Sequence, residues 1–362
     1  MRRVEHGDAH VLHPSSREES APAVAGFDFY GVRVRFETDD GEVLSRVTKD
    51  FWYFAADPPP PASTRLEIVA RRKVPDYNSL PALRATIYTP RNISYTSGDI
   101  TYIDYFGKAL GVFDRLTRRL EIASKNVHVL HEVVYLAMLS QVGAQLERQG
   151  MHRMHALAFG RGGECAVLMM PSGCGKTTLG MEILRQSDSL QLVSDDSPLI
   201  SRNGRVLPFP LRFGVLNDPR PTIADEHVYY VERMEFAPKY LISLAAYESS
   251  VARGSFRPRF IFVADRSLGK GCEIRRVGFI AGFRACVRHM IVGVGLYQGL
   301  EFLLQNSILD LVRSSGIFVS RMWAAVSVLR RSQVYAVTLG RNPKYNAEVI
   351  TEFLHRQLGR PC

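Results

Sequence analysis

Apolar and polar residues alternate with a period of two along the chain from residue 27 to residue 122. Side chains on a β-strand point to opposite faces in turn, so this alternation predicts strands, and the Asp-, Gly- and Pro-rich breaks between them predict turns. We therefore predict a β-rich N-terminal domain over residues 26–125, preceded by a disordered tail over residues 1–25 without a signal-peptide apolar segment. The predicted strand runs are FDFYGVRVRFET, GEVLSRV, FWYFAAD, TRLEIVAR, ATIYT, ISYTSGDITYIDYFG and GVFDRLTRRLEIAS.

The period of the pattern changes at residues 128–149, where apolar residues return every three or four positions. This spacing places them on one face of a helix, and Gly150 follows as a stop signal. Strand and helix patterns then alternate to the end of the chain, which is typical of an α/β domain. We predict that this second domain covers residues 126–362 and begins with the helix.

The second domain shows a strand, a hairpin turn at residues 160–163 and a continuously apolar strand that leads into a helix near Thr178. The other predicted elements are strands within 189–201 and 256–267, two helices broken near residues 293–295, the strand SQVYAVTLG and a last helix that starts at Pro343.

The net charge and the number and spacing of cysteines limit the classes of ligand and the cellular compartment that we expect. The net charge is +10, and the arginines are spread along the chain without an aromatic repeat, so anionic ligands are favoured over nucleic acid. Five scattered cysteines without C-x-x-C spacing indicate neither a disulfide framework nor a zinc site, so we expect a cytoplasmic protein. No run of eighteen apolar residues occurs, so no membrane span is predicted.

A glycine-rich segment, MPSGCGKTT at residues 170–178, lies between the apolar strand and the helix. It matches the end of the nucleotide-binding pattern G-x-x-x-x-G-K-[ST], with Met170 in place of the first glycine. In this pattern glycines let backbone amides turn inward around a phosphate, the lysine bridges the outer phosphates and the next residue holds Mg²⁺. The predicted nucleotide-binding residues are Ser172, Gly173, Cys174, Gly175, Lys176, Thr177 and Thr178.

Acidic and basic candidates accompany this segment. Asp195 and Asp196 end a short apolar strand, where carboxylates that bind Mg²⁺ or activate a hydroxyl occur in nucleotide enzymes. Neighbouring strand residues face opposite ways, so we expect one acid in the site and the other at its margin. Arg212 and Lys239 are candidates for stabilising the transferred phosphoryl group, while His289 is expected to be structural.

The order MHALAF, MPSGCGKTT, LVSDDSPLI and GRVLPFP resembles the bacterial HPr kinase/phosphorylase family and, more distantly, ATP-dependent phosphoenolpyruvate carboxykinase. In that family a histidine precedes the strand pair, the loop reads S-G-x-G-K-[ST], and an L-x-x-D-D element carries the catalytic acid. The resemblance spans residues 128–342 with gaps and is specific over 155–212. The chain departs from the bifunctional HPr enzymes in its N-terminal part and in PFPLRFGV after the acidic strand. These departures favour relatives that act as kinases in peptide natural-product pathways.

The resemblance implies a role for each matching residue. Residues 173–177 would bind the triphosphate through the loop lysine, and Thr177 would bind Mg²⁺ together with Asp196 or Asp195. One of the two acids would be the base that takes the proton from the acceptor hydroxyl, with His155 beside it. A GRN-type segment would approach the nucleotide, and its residues are Gly340, Arg341 and Asn342.

These residues predict an ATP- and Mg²⁺-dependent kinase that transfers the γ-phosphoryl group to a hydroxyl of a peptide, a protein or a small metabolite. The acceptor, the choice between ATP and GTP, and a homo-oligomeric state stay open. Two other classes also stay open. A nucleotide-hydrolysing switch would use the same loop with water as acceptor, and a peptide-binding module would use nucleotide only to stabilise its fold. The acid pair favours the kinase.

Overall fold

The computed structural model describes residues 22–291 and 308–358 of the chain. Within these residues the protein is a mixed α/β structure with four β-sheets and six α-helices. Most of the tail predicted over residues 1–25 lies outside the described residues, but Ala23–Phe29 already forms a strand. The break predicted near residues 293–295 also lies outside them. The helices are α1 (Gly41–Asp50), α2 (Val127–Arg148), α3 (Lys176–Gln186), α4 (Phe279–Cys286), α5 (Ile308–Arg330) and α6 (Pro343–Gln357).

The N-terminal strands form one mixed sheet that confirms most of the predicted alternating runs. They are β1 (Ala23–Phe29), β2 (Val32–Thr38), β3 (Ala55–Ala56), β4 (Leu66–Arg71), β5 (Ala85–Tyr88), β6 (Ile93–Ser97), β7 (Ile100–Asp104), β8 (Leu110–Asp114) and β9 (Arg119–Ala123). Their order in the sheet is β3-β1-β2-β4-β9-β8-β7-β6-β5. The pairs β2/β4 and β4/β9 are parallel, and the other neighbours are antiparallel.

The strand predicted for GEVLSRV is wrong, because these residues form helix α1. Asp40 supplies the reason: its carboxylate accepts a hydrogen bond from the Val43 amide at 2.9 Å and so caps the first turn. Val43 and Val47, one helical turn apart, are both fully buried. The run FWYFAAD is also mostly not a strand, since Trp52–Phe54 forms a 3₁₀ turn before the two-residue strand β3.

Helix α2 confirms the helix predicted at residues 128–149, and Gly150 follows it with a positive φ of 78°. The helix packs against α1, β4 and β9 in the same hydrophobic core as the nine-stranded sheet. The domain boundary predicted between residues 125 and 126 therefore passes through one continuous core. Among the described residues, α2 is the one helix long and apolar enough to cross a membrane, but 72% of its apolar window is buried inside the protein.

The second half of the chain contains a six-stranded sheet in the order β13-β11-β12-β19-β21-β20 and two small sheets in the orders β10-β14-β15 and β16-β18-β17. The strands are β10 (Met151–Arg153), β11 (Ala156–Arg161), β12 (Glu164–Met169), β13 (Gln191–Ser194), β14 (Leu199–Ser201), β15 (Val206–Leu207), β16 (Arg212–Val215), β17 (Val228–Val231), β18 (Lys239–Ser243), β19 (Arg257–Arg266), β20 (Glu273–Arg276) and β21 (Gln333–Leu339).

The six-stranded sheet lies between two helical layers. Alternate side chains of its central strands enter two different cores: Leu168 packs in the core that includes α3 and α6, and Val167 in the core that includes α4 and α5. Burial on both faces explains why β12 is continuously apolar instead of alternating. Strands β12, β19 and β21 are parallel to one another, and β13 runs in the same direction. Their carboxyl ends therefore meet at one edge of the sheet.

Candidate functional site

Residues 170–175, which we call the glycine loop, connect β12 with α3 at this edge of the sheet. Gly173 and Gly175 have φ angles of 77° and 88°, in the left-handed region that favours glycine. Gly175 caps α3, and its carbonyl accepts a hydrogen bond from the Leu179 amide at 2.9 Å. The first amides of a helix have no partner within the helix and carry its positive end, so the loop forms a site suited to an anion.

Lys176, the first residue of α3, is buried beside the glycine loop and brings three groups together. Its Nζ atom lies 2.7 Å from His155 Nε2, 3.4 Å from the Met170 carbonyl oxygen and 3.6 Å from Asp196 Oδ1. The residues predicted from sequence as lysine, histidine and acid of one site are therefore neighbours in space.

His155 is held in one neutral form by these contacts. Because an ammonium group only donates hydrogen bonds, Nε2 of His155 accepts one from Lys176, and the ring proton resides on Nδ1. Asp196 Oδ1 lies 3.2 Å from this Nδ1, although outside hydrogen-bond alignment. Burial lowers the pKa of His155, and the charge of Lys176 lowers it further against the opposing effect of Asp196. His155 is therefore uncharged near pH 7.

Asp195 and Asp196 occupy different environments. Asp195 is 7% exposed, and its Oδ2 accepts a hydrogen bond from Thr177 Oγ1 at 2.6 Å. Burial, together with the charge of Asp196, raises the pKa of Asp195 to about 7. The side chain of Asp196 is 46% exposed and faces the lysine and the histidine. The structure thus pairs Thr177 with Asp195 and not with Asp196, a choice that the sequence left open.

Thr177 and Asp195 fit a Mg²⁺ ion bound mainly through phosphate oxygens and water. The Oδ1 atom of Asp195 is buried without a hydrogen-bond partner, so one carboxylate oxygen beside the threonine hydroxyl remains available. Within the ranges 22–291 and 308–358, no group of three or more His, Cys, Asp and Glu side chains could hold a metal by itself. This donor set agrees with Mg²⁺, which often binds one or two carboxylates together with substrate phosphates.

The glycine loop and the acid pair line one wall of a cavity of about 1060 Å³. Of the predicted loop residues, Cys174 does not line this cavity and packs instead against the core with α3 and α6. Other lining residues lie on α2, β10, β16 and β18, so elements outside the six-stranded sheet also bound the cavity. Among the lining residues are Tyr135, Arg153, Arg212, Arg233, Phe236 and Lys239.

Arg212 lines the cavity but also forms an ion pair with the buried Asp50. Its Nη1 atom lies 2.5 Å from Oδ2 of the fully buried Asp50, and its guanidinium stacks on the Tyr135 ring at 3.6 Å from the centroid. His131 and Tyr229 also hydrogen-bond to Asp50. Arg212 therefore joins β16 to α1 and α2 and neutralises Asp50. Its predicted contact with a phosphoryl group is not tested by this arrangement.

Lys239 also lines the cavity, and its predicted contact with the phosphoryl group stays a prediction. Burial lowers the pKa of its ammonium group, and the charge of Arg233 adds to this effect. The charges of Asp195 and Asp196 oppose this lowering of the Lys239 pKa. His289, predicted as structural, stacks on His155 with ring centroids 6.0 Å apart, and its carbonyl accepts the His155 amide hydrogen bond at 2.9 Å.

The GRN-type segment lies away from this cavity. Arg341 lines a separate, open hollow of about 820 Å³ with Lys270 and Tyr345. Asn342 caps α6 by accepting hydrogen bonds from two of its first amides. Gly340 packs so closely on the Lys270–Gly271 backbone that a Cβ atom would lie 2.6 Å from the Gly271 oxygen. Gly340 and Asn342 therefore have structural roles at the start of α6, and the approach of Arg341 to a nucleotide stays a prediction.

Sequence reasoning missed three residues of the site. Tyr135 lies on the helix α2, Arg153 ends β10, and both line the cavity. Arg266 ends β19, and its Nη1 would lie 3.7 Å from a Cβ atom on Gly175, so it stands beside the glycine loop. Arg153 was recognisable in principle, because an arginine within the mostly apolar segment MHRMHALAF must find or receive a partner. Neither Tyr135 nor Arg266 has a comparable local signal.

No protein-family model matches this chain, and no curated protein matches it either.

Proposed function

We propose that the protein is a nucleoside-triphosphate-dependent kinase that phosphorylates a hydroxyl group, with a P-loop domain of the HPr kinase type. The observation that carries this proposal is the meeting of the glycine loop, Lys176, the Thr177–Asp195 pair and Asp196 at one end of a cavity. These are the parts that phosphoryl transfer needs, because its catalysis consists mainly of positioning and charge stabilisation.

On the donor side, the loop amides and the start of α3 would hold the β- and γ-phosphates. Lys176 is fixed by His155, Met170 and Asp196, so its charge is already directed at the place where negative charge develops. Mg²⁺, held by Thr177 and Asp195, would neutralise phosphate charge. Neutral His155 accepts from the lysine and keeps its ammonium group in place.

On the acceptor side, Asp196 is the acid that an incoming hydroxyl reaches. Its side chain is 46% exposed, whereas Asp195 is buried and hydrogen-bonded to Thr177. Asp196 would orient the hydroxyl and accept its proton as the bond to the γ-phosphorus forms. The bond between this phosphorus and the bridging oxygen breaks, and the nucleoside diphosphate leaves with the electron pair.

The direct test is incubation with γ-labelled ATP, Mg²⁺ and a lysate, followed by separation of the labelled product. A kinase transfers label to an acceptor molecule, and the product releases phosphate on treatment with a phosphatase. Release of free phosphate without any labelled acceptor would instead support the nucleotide-hydrolysing switch. Binding of ATP with neither result would support the peptide-binding module.

Replacement of Lys176 with alanine is expected to lower kcat/KM for phosphoryl transfer by about 10²–10³-fold, because it removes a donor directed at the transferred phosphates. Replacement of Arg185, which lines the same cavity but pairs with Glu182 at 2.7 Å, is the matched control and should change the rate little. Steady-state kinetics on the identified acceptor measure both. Similar losses in the two variants would contradict the role of Lys176.

Binding of Mg²⁺-nucleotide is expected to weaken as the pH falls from 8 to 6. The pKa of Asp195 is raised to about 7 by burial, so below this pH the carboxyl is protonated and cannot bind the cation. The apparent Mg²⁺ affinity should fall by up to about tenfold per pH unit below the pKa. Calorimetry with a non-hydrolysable triphosphate measures the apparent Mg²⁺ affinity at each pH. In Asp195→Asn only the nucleotide itself still titrates, so its affinity should depend less on pH. If Mg²⁺ affinity depends on pH equally in wild type and in Asp195→Asn, Asp195 is not a ligand of the metal.

A further inference from the structure

Arg153 is a buried cation on the cavity wall whose charge no acid of the described structure neutralises. The residue is 9% exposed, and its guanidinium forms no hydrogen bond or ion pair with residues 22–291 and 308–358, with Nε buried and unpartnered. Glu147, the acid that acts most on its charge, is ion-paired with Arg321. Burial lowers the pKa of the Arg153 guanidinium, because removal from water disfavours the charged form.

The guanidinium of Arg153 occupies the space beside Gly143 that a larger side chain would fill. A Cβ atom on Gly143 of α2 would lie 2.6 Å from Arg153 Nη2 and 2.8 Å from its Cζ atom, so the guanidinium packs directly on the helix backbone. Any larger residue at position 143 would displace it. A buried arginine without an anion is destabilising for the protein alone, and an anionic ligand that forms two parallel hydrogen bonds with the guanidinium would remove this cost.

Arg153 and Asp196 line the same cavity. The charge of Asp196 acts on the pKa of Arg153 and also on that of Tyr135, whose ring Arg212 covers. Lys176 lies 3.6 Å from Asp196 Oδ1, and together with the neighbouring glycine loop it is suited to the donor phosphates. Of the cations that line the cavity near Asp196, Lys176 contacts this acid and Arg212 is paired with Asp50. Lys239 is only partly buried, whereas Arg153 is buried and has no acid within ion-pair distance among the described residues.

We propose that Arg153 binds an anionic group of the phosphoryl acceptor, so that the substrate is a hydroxyl compound that also carries a carboxylate or a phosphate. This rests on the proposed kinase function, which identifies the far side of the cavity as the acceptor side. The planar guanidinium, with its fork of N–H donors, matches a carboxylate or a phosphate in two parallel hydrogen bonds. The anion would anchor the acceptor and leave its hydroxyl at Asp196.

The test measures binding of simple anions by calorimetry. Wild-type protein is first saturated with Mg²⁺ and a non-hydrolysable ATP analogue, which occupies the glycine loop, and is then titrated with inorganic phosphate or with malonate. We expect one further anion to bind, and Arg153→Gln to weaken its binding at least tenfold. Arg185→Gln, in the same cavity but already paired with Glu182, should bind as wild type does. Stronger binding of malonate indicates a carboxylate acceptor, and stronger binding of phosphate indicates a phosphorylated one.

Two outcomes would overturn the proposal: no additional anion bound by the saturated wild type, or equal binding by Arg153→Gln. The initial nucleotide titration reports separately on the donor site. If it fails, the same anion titration in Lys176→Ala without nucleotide still tests Arg153. Failure of the proposed function and failure of this inference are thus distinguishable.

Thermal unfolding separates a ligand-binding role for Arg153 from a structural one. Arg153→Gln removes an unpaired buried charge, so without anion its Tm is expected to equal or exceed that of wild type. Malonate or phosphate should raise the Tm of wild type but not of the variant. Gly143→Ala, which crowds the guanidinium, should lose anion binding although the arginine is present. A clear loss of Tm in Arg153→Gln, with no anion effect on wild type, would show a purely structural arginine.

Discussion

Asp196→Asn is expected to lower kcat for phosphoryl transfer by about 10³–10⁴-fold while the affinity for Mg²⁺-nucleotide changes little. The amide has nearly the same shape, but it cannot accept the proton of the hydroxyl. Asp196 is the exposed member of the acid pair, and its Oδ1 lies 3.6 Å from the Lys176 ammonium, beside the expected position of the transferred phosphoryl group. Steady-state kinetics, combined with nucleotide titration of the same variant, measure the two quantities.

Asp195→Asn is the variant to compare with Asp196→Asn, since it should weaken Mg²⁺ binding and not proton transfer. It removes the carboxylate that is hydrogen-bonded to Thr177, so Mg²⁺ affinity should fall on the order of tenfold or more, and added Mg²⁺ should restore part of the rate. Added Mg²⁺ should not restore Asp196→Asn. If both variants lose little activity, or if both respond to Mg²⁺ alike, the division of roles between the two acids is wrong.

Arg212→Met is expected to destabilise the folded protein by about 3–5 kcal/mol, because it leaves the Asp50 carboxylate buried without its cation. Asp50 is fully buried. Burial raises the pKa of its carboxyl, but the charges of Arg212 and His131 lower it by more, so the net effect is a lowered pKa. Its folded-state pKa lies below the unfolded value, so this stabilisation is present near neutral pH and is lost as the pH falls through the folded-state pKa. Urea unfolding at pH 7 measures the change.

Two further variants decide between the structural and the catalytic role of Arg212. The double variant Asp50→Asn/Arg212→Met should lose less unfolding free energy than the two single variants lose together, since no charge of this pair is left unpaired. Replacement of the exposed Arg356, paired with Glu352 on α6, should cost less than about 1 kcal/mol. A fully stable Arg212→Met with a much reduced kcat would instead assign this arginine to the phosphoryl group, as its place in the sequence suggests.

The local parts of the site were predictable because they depend on short stretches of chain. A buried strand, two glycines with positive φ and a lysine at the start of a helix follow one another between residues 166 and 178, and the structure places them as the pattern indicates. The acids at the end of β13 were predictable for the same reason, since strands of like direction end at the same edge of the sheet. By contrast, the short helix α1 was missed because its capping aspartate resembles a turn signal.

The sequence by itself therefore determined the local parts of the candidate site: the β12–loop–α3 unit, His155 directly before β11 and the acid pair after β13. Only the tertiary structure decided which acid meets Thr177, that Arg212 is paired with Asp50, and that Arg153 faces the cavity beside Gly143. These contacts join residues many positions apart, from the N-terminal helices and the small sheets. Local periodicity carries no information about such pairs, because they arise only when separate elements pack around one cavity.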